Sequence, residues 1–137
     1  MRRVFKFRAY PTHHQAAALG AQVDEACRLY NSALDERRSA WRMNRTSLSY
    51  YDQASQLKAI RAAGDLGVAN FSACQDVLRR ADRTFAAFFR RLKAGEKAGY
   101  PRFRSRSRYD SLTWPSWGDG CARCVQCGGC TCRVWEI

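Results

Sequence analysis

Four arginines, Arg102, Arg104, Arg106 and Arg108, occupy every second position of "GYPRFRSRSRYDSLTWP", residues 99–115, with Tyr100, Phe103, Tyr109 and Trp114 around them. In an extended segment this spacing puts all four guanidinium groups on one side. Aligned like charges repel in water, but against a sugar-phosphate chain each can release counterions, and the neighbouring rings can stack on bases or guanidinium planes. The chemistry on offer is polyanion recognition. Residues suited to bond making or breaking are sparse. The only two histidines, His13 and His14, are adjacent, so no Ser–His–Asp arrangement forms around them and no third metal ligand is near in sequence. The twelve acids are scattered among basic segments with no paired site. No catalytic residue is expected.

The cysteines are the other group with chemical potential. Cys121, Cys124, Cys127, Cys130 and Cys132 crowd into "CARCVQCGGCTCRVWEI". Cys121, Cys124, Cys127 and Cys130 are the candidate ligands of a zinc or iron–sulfur site. The run lacks the second ligand cluster of a zinc knuckle, and its fourth and fifth thiols miss the ferredoxin spacing. Cys27 and Cys74 lie on apolar helical faces, where buried, inert thiols are the expectation.

The charge is uneven. The 137-residue chain carries a net +12, and residues 79–109 hold eleven Arg or Lys against Asp82 and Glu96. A basic block of this kind is an electrostatic footprint for nucleic acid. No apolar run is long enough to cross a bilayer, and "MRRVFKFRAYPT" has no apolar stretch after its basic residues, so neither a membrane partner nor a signal peptide is expected and the expected location is cytoplasmic.

The elements that must position these residues can be read from periodicity. "RVFKFRAY" alternates with a period of two and predicts a short strand ended by Pro11. Thr12 is a helix N-cap with Gln15 in capping-box position, opening a helix from His13 to about Met43, with a break possible at Gly20 and Asn44 closing it. "TSLSYYDQASQLKAIRAAG" predicts a second helix capped by Ser47 or Ser49 and stopped by Gly64. The strongest helix follows. Phe71, Cys74, Leu78, Ala81, Phe85, Phe88 and Leu92 step by alternating threes and fours, a seam expected to pack against Leu19, Val23 and Tyr30. Arg79, Arg80, Arg83, Arg90 and Arg91 lie off that seam. "KAGEKAGYPRF" is a glycine-punctuated exit.

"FKFRAYPT", "CRLYNSAL" and "FFRRLKAGEKAGYPRFRSRSRYDSLTWP", in this order and spacing, resemble the N-terminal part of the TnpB (OrfB) family, transposon-encoded RNA-guided DNA nucleases related to type V CRISPR effectors. The resemblance covers residues 3 to about 120. It implies residues 1–11 as the first strand of a wedge-like β-barrel, residues 12–98 as a helical recognition-like domain, and residues 99–120 as strands returning to the barrel. The fold expected is mainly α with a smaller β part (α+β): an antiparallel helical bundle with a short N-terminal strand, a partial barrel and a disordered tail at 121–137. The family grips guide RNA and the RNA–DNA heteroduplex through backbone and shape. Its nuclease domain would follow the barrel, beyond Ile137, so no nuclease activity is expected of this chain. A helix-turn-helix label is attached to segments such as residues 12–43, although no recognition helix with base-reading side chains stands out there. The tail departs from the family, and the expected cause is a shifted reading frame near Gly120.

The expected nucleic-acid contacts are Arg79, Arg80, Arg83, Arg90, Arg91, Tyr100, Arg102, Phe103, Arg104, Arg106, Arg108 and Tyr109, with the three rings either stacking or anchoring the ribbon. The expected function is a nucleic-acid-binding fragment with guide RNA or DNA as partner and no cofactor. Two alternatives stay open: a stand-alone regulator competing with the full-length TnpB nuclease, or meeting the transposase encoded alongside it, and a small zinc or redox protein built on the cysteine tail.

Overall fold

The computed structural model describes residue 6 and residues 8–115. Among these residues three α-helices and one 3-10 turn form: α1 (His13–Asn44), α2 (Tyr50–Ala62), α3 (Phe71–Lys93) and the turn Arg106–Arg108.

Local signals fix the helix ends. Thr12 Oγ1 accepts from the Gln15 N–H at 3.3 Å and the Gln15 side chain accepts from the Thr12 N–H at 3.0 Å, a complete capping box. Ser49 and Asp52 repeat the device on α2. Asn70 caps α3, its Oδ1 accepting from the Ser72 N–H at 2.9 Å. At the other ends Gly64 (φ +89°) and Gly95 (φ +73°) adopt the left-handed conformation. Each lets the following N–H reach back five residues, Asp65 to the Ile60 carbonyl and Glu96 to the Arg91 carbonyl. α1 runs unbroken through Gly20, so the break considered there is absent: one glycine costs a helix only about 1 kcal/mol, which the flanking turns offset.

Three contacts set the topology. Gln53, early in α2, donates to the Ala33 carbonyl and the Glu36 carboxylate late in α1, while the loop after α2 meets Glu25 midway along α1. α2 therefore runs back along α1. α3 then returns along α2, with Arg61 on Cys74 and Arg79 over the Tyr50 ring. The result is an up-down-up bundle. Its core joins Ala26, Leu29, Ala33 and Leu34 of α1 to Leu57 of α2 and Cys74, Val77, Leu78, Ala81 and Phe85 of α3. Each large aliphatic or aromatic side chain buried there contributes about 1.5–3 kcal/mol. The α3 seam is buried only through its middle: Cys74, Leu78, Ala81 and Phe85 are enclosed, while Phe71 is 40% and Leu92 55% exposed.

The β part of the expected fold is not present. The described residues contain no strand, hence no sheet and no partial barrel. Of the predicted first strand, residues 8–11 are not in a strand and most of residues 1–7 lie outside the described residues. In place of return strands at 99–120, residues 99–115 form an irregular ribbon laid across α1 and α3, and its backbone is held by side chains instead of a neighbouring strand. The cysteine tail, its metal alternative and its expected disorder lie outside the described residues.

Candidate nucleic-acid interface

One carboxamide and two tyrosine rings help fix the ribbon to the bundle. The Asn31 carboxamide makes two bonds to the Arg104 backbone: Oδ1 accepts from its N–H at 2.9 Å and Nδ2 donates to its carbonyl at 2.8 Å. Tyr109 is buried and packs against Tyr30 with ring centroids 5.7 Å apart. Tyr100 meets Phe85 and Phe88 edge-on at 5.7 and 5.5 Å. Tyr109 is therefore an anchor, and Tyr100, still 43% exposed, is an anchor with one free side. Phe103, at 52% exposure, is the most open of the three rings. The Tyr109 hydroxyl is enclosed, and burial raises its pKa, the nearby Arg80 opposing the rise.

The arginines of the ribbon do not form one aligned row. The 3-10 turn at Arg106–Arg108 breaks the alternation, because its period of three replaces the period of two. Arg106 turns onto the bundle, where Nε pairs with Asp24 and Nη1 donates to the Tyr109 carbonyl at 3.1 Å. Arg102, Arg104 and Arg108 are exposed. Arg104 stands over the Tyr30 ring at 5.8 Å.

The α3 arginines divide in the same way. Arg80 is occupied: Nε donates to Asp76 at 3.1 Å, Nη1 to the Ser111 carbonyl at 2.8 Å and Nη2 to Thr113 Oγ1 at 2.5 Å. It straps the end of the ribbon to α3. Arg83 reaches the other oxygen of Asp76 at 3.2 Å while its side chain stays 69% exposed. Arg79, Arg90 and Arg91 are exposed, and no acid of the described residues pairs with them. Arg90 and Arg91 sit in the last turn of α3, where the helix dipole favours positive charge.

Two concave regions flank the ribbon. One, of about 270 Å³, is lined by Arg80, Arg83, Arg104 and Arg108 together with Tyr30 and Tyr109. The other, of about 500 Å³, brings Arg38, Trp41 and Arg42 of α1 against Tyr100, Arg102 and Phe103. The three α1 residues were not among the sequence candidates. The run "ERRSAWRMNR", residues 36–45, carries their signal, since Arg38, Trp41 and Arg42 share a face at helical spacing.

Several acids have structural work. Glu25, 2% exposed, accepts the N–H groups of Gly67, Val68 and Ala69 at 3.3, 3.0 and 2.9 Å. Asp82 pairs with the buried Arg37 at 2.9 Å, and Glu36 binds Gln53 and Gln56 at 2.7 and 2.8 Å. Asp52 caps α2, and the bonds from Ser49 hold its carboxyl below the usual carboxylate range. Among the described residues no three His, Cys, Asp or Glu side chains stand close enough to hold a metal ion, and no helix is long and apolar enough to cross a membrane. Cys27 and Cys74 are buried free thiols, and burial pushes both pKa values up.

Residues 1–46 match the helix-turn-helix domain family named for OrfB and IS605. Within them the described residues form the single helix α1, with the turn to α2 beginning at Arg45. A Streptomyces pristinaespiralis protein named "Putative RNA-guided DNA endonuclease" is 32% identical over 111 residues, 79% of this chain and 26% of that relative. The chain thus spans about a quarter of the relative's length. Residues 1–46 therefore carry the helix-turn-helix domain of the OrfB/IS605 family, and over 79% of its length the chain is similar to a putative RNA-guided DNA endonuclease.

Proposed function

We propose that this chain is a nucleic-acid-binding region of a TnpB-like protein, and that it grips DNA or a guide RNA through the sugar-phosphate backbone. The observation that carries the reading is the division among the arginines. Arg80 and Arg106 are consumed in holding the ribbon. Arg79, Arg90, Arg91, Arg102, Arg104 and Arg108 remain exposed without an acidic partner among the described residues, and Arg83 keeps most of its surface in solvent. Side chains in that state are suited to phosphate contacts, which position a protein on a polynucleotide without reading its sequence.

The region supplies grip and no cleavage in this proposal. Six of its acids, at positions 24, 25, 36, 52, 76 and 82, are engaged in a cap, a loop, a glutamine contact or an arginine pair, and no three potential ligands cluster among the described residues, the opposite of the open carboxylate site that metal-assisted hydrolysis requires. The experiment is fluorescence anisotropy with labelled duplex DNA and structured RNA at several salt concentrations. Affinity should fall steeply with salt, with a log–log slope of about −0.9 per duplex phosphate contacted. Binding insensitive to salt, or no binding at low ionic strength, refutes the reading. Strand scission by the purified chain with magnesium refutes its second half.

A further inference from the structure

The groove between α1 and the ribbon combines two features, of which the phosphate contacts above use only Arg102. Its rings are open: Trp41 and Phe103 are each 52% exposed and Tyr100 43%. Beside Leu34 and Pro101, its remaining wall is cationic, from Arg38, Arg42 and Arg102. The Arg38 guanidinium stands over the Tyr100 ring at 6.0 Å and that of Arg45 over the Trp41 ring at 5.7 Å, so both are held beside the rings. A volume of about 500 Å³ is room for a planar heterocycle with its sugar.

A ligand for this groove needs a flat, polarisable face and negative charge on either side of it. Nucleic acid has both, but in a duplex each base face is covered by the neighbouring pair. Only an unpaired base can lie on an aromatic ring while its flanking phosphates meet arginines. We propose that this groove holds an unpaired base of single-stranded nucleic acid, stacked against Trp41 and Phe103, with Arg38, Arg42 and Arg102 on the adjoining phosphates. The proposal rests on the nucleic-acid reading above and adds to it a single-strand site whose binding depends on the base.

The test uses the full chain and labelled oligonucleotides of equal length: single-stranded DNA, single-stranded RNA, a single strand abasic throughout, and a duplex. Trp41→Ala and Phe103→Ala should each weaken the base-bearing single strands about tenfold and leave the abasic strand and the duplex within about twofold, while Trp41→Phe keeps most of the affinity. Arg90→Ala, which lies away from the groove, should weaken all four probes alike. The DNA and RNA arms decide which strand is preferred. Circular dichroism checks that the variants fold, which the exposure of both rings favours. Equal losses on base-bearing and abasic strands, equal losses on single strand and duplex, or no loss on any probe overturns the stacking site while leaving the phosphate reading intact. Failure of the wild-type chain to bind any probe overturns both.

Discussion

The Asn31 carboxamide is paired with both backbone polar groups of Arg104, at 2.9 and 2.8 Å, in the way a neighbouring strand would be. One side chain of α1 therefore holds the middle of the ribbon between the two arginine-lined concavities on either side. Asn31→Ala removes both bonds and should cost about 1–2 kcal/mol. Urea denaturation should give that loss, and hydrogen exchange should show the Arg104 amide deprotected while the middle of α3 keeps its protection. Unchanged exchange at Arg104 would mean that the ribbon is held without Asn31.

Arg80 and Arg90 are predicted to behave oppositely although both are α3 arginines. Arg80→Ala leaves Asp76, whose side chain is 11% exposed, with the single partner Arg83 and releases Ser111 and Thr113. It should lower stability by about 1–3 kcal/mol. Arg90→Ala, at an exposed site, should change stability by no more than about 0.5 kcal/mol but reduce the salt dependence of nucleic-acid binding by about one phosphate contact. Parallel thermal melts and salt titrations separate the two. An Arg80→Ala protein of wild-type stability would contradict its assignment as a strap.

Glu25 is a buried carboxylate satisfied by three peptide N–H groups of the α2–α3 connection. Glu25→Ala strands those donors inside the fold and should cost about 2–4 kcal/mol, among the larger effects available in the bundle. Glu25→Gln keeps the shape but replaces one acceptor oxygen with an amide donor facing an N–H, so it should recover only part of the loss. Chemical denaturation of the three proteins gives the order.

The pH dependence follows from the shifted groups. Cys27, Cys74 and Tyr109 have raised pKa values because burial disfavours their anions. The folded state therefore favours their protonated forms. The stability they contribute is fully present below the ordinary thiol and phenol values, about 8.5 and 10, and is lost as pH rises through the folded-state values. Melting temperature should fall progressively above about pH 8.5, and Cys74→Ala should remove part of that alkaline slope. Asp52 acts with the opposite sign: its carboxyl is held low by Ser49, so its contribution is present above about pH 4 and disappears as pH falls through the folded-state value. Ser49→Ala should flatten the acid limb of the melting profile. A flat alkaline profile in the wild-type chain would show that the thiols and the phenol are open to water.

Much of the bundle was legible in the sequence because helix ends are local. Thr12 with Gln15, Ser49, Gly64 and Gly95 act through bonds to neighbours within six residues, so the start of α1 and the stops of α2 and α3 could be placed from residue types alone. The middle of the α3 seam was equally plain from its spacing. The ribbon was not: alternating arginines suggest an extended strand, but a strand needs a partner, and the 3-10 turn and the Asn31 pairing decide its path instead.

The density and place of positive charge, the helical spans and the family motifs are properties of the chain read in order, and sequence sufficed for them. Which arginines are available for a polyanion is a different kind of fact. Arg80 meets Ser111 and Thr113 across 31 and 33 residues, Arg106 meets Asp24 across 82, and Trp41 of α1 shares a groove with Phe103 of the ribbon. Such partners are brought together only when the helices pack, because a hydrogen bond or an ion pair depends on distance in space. Tertiary structure alone therefore separated the arginines that hold the fold from those that face solvent.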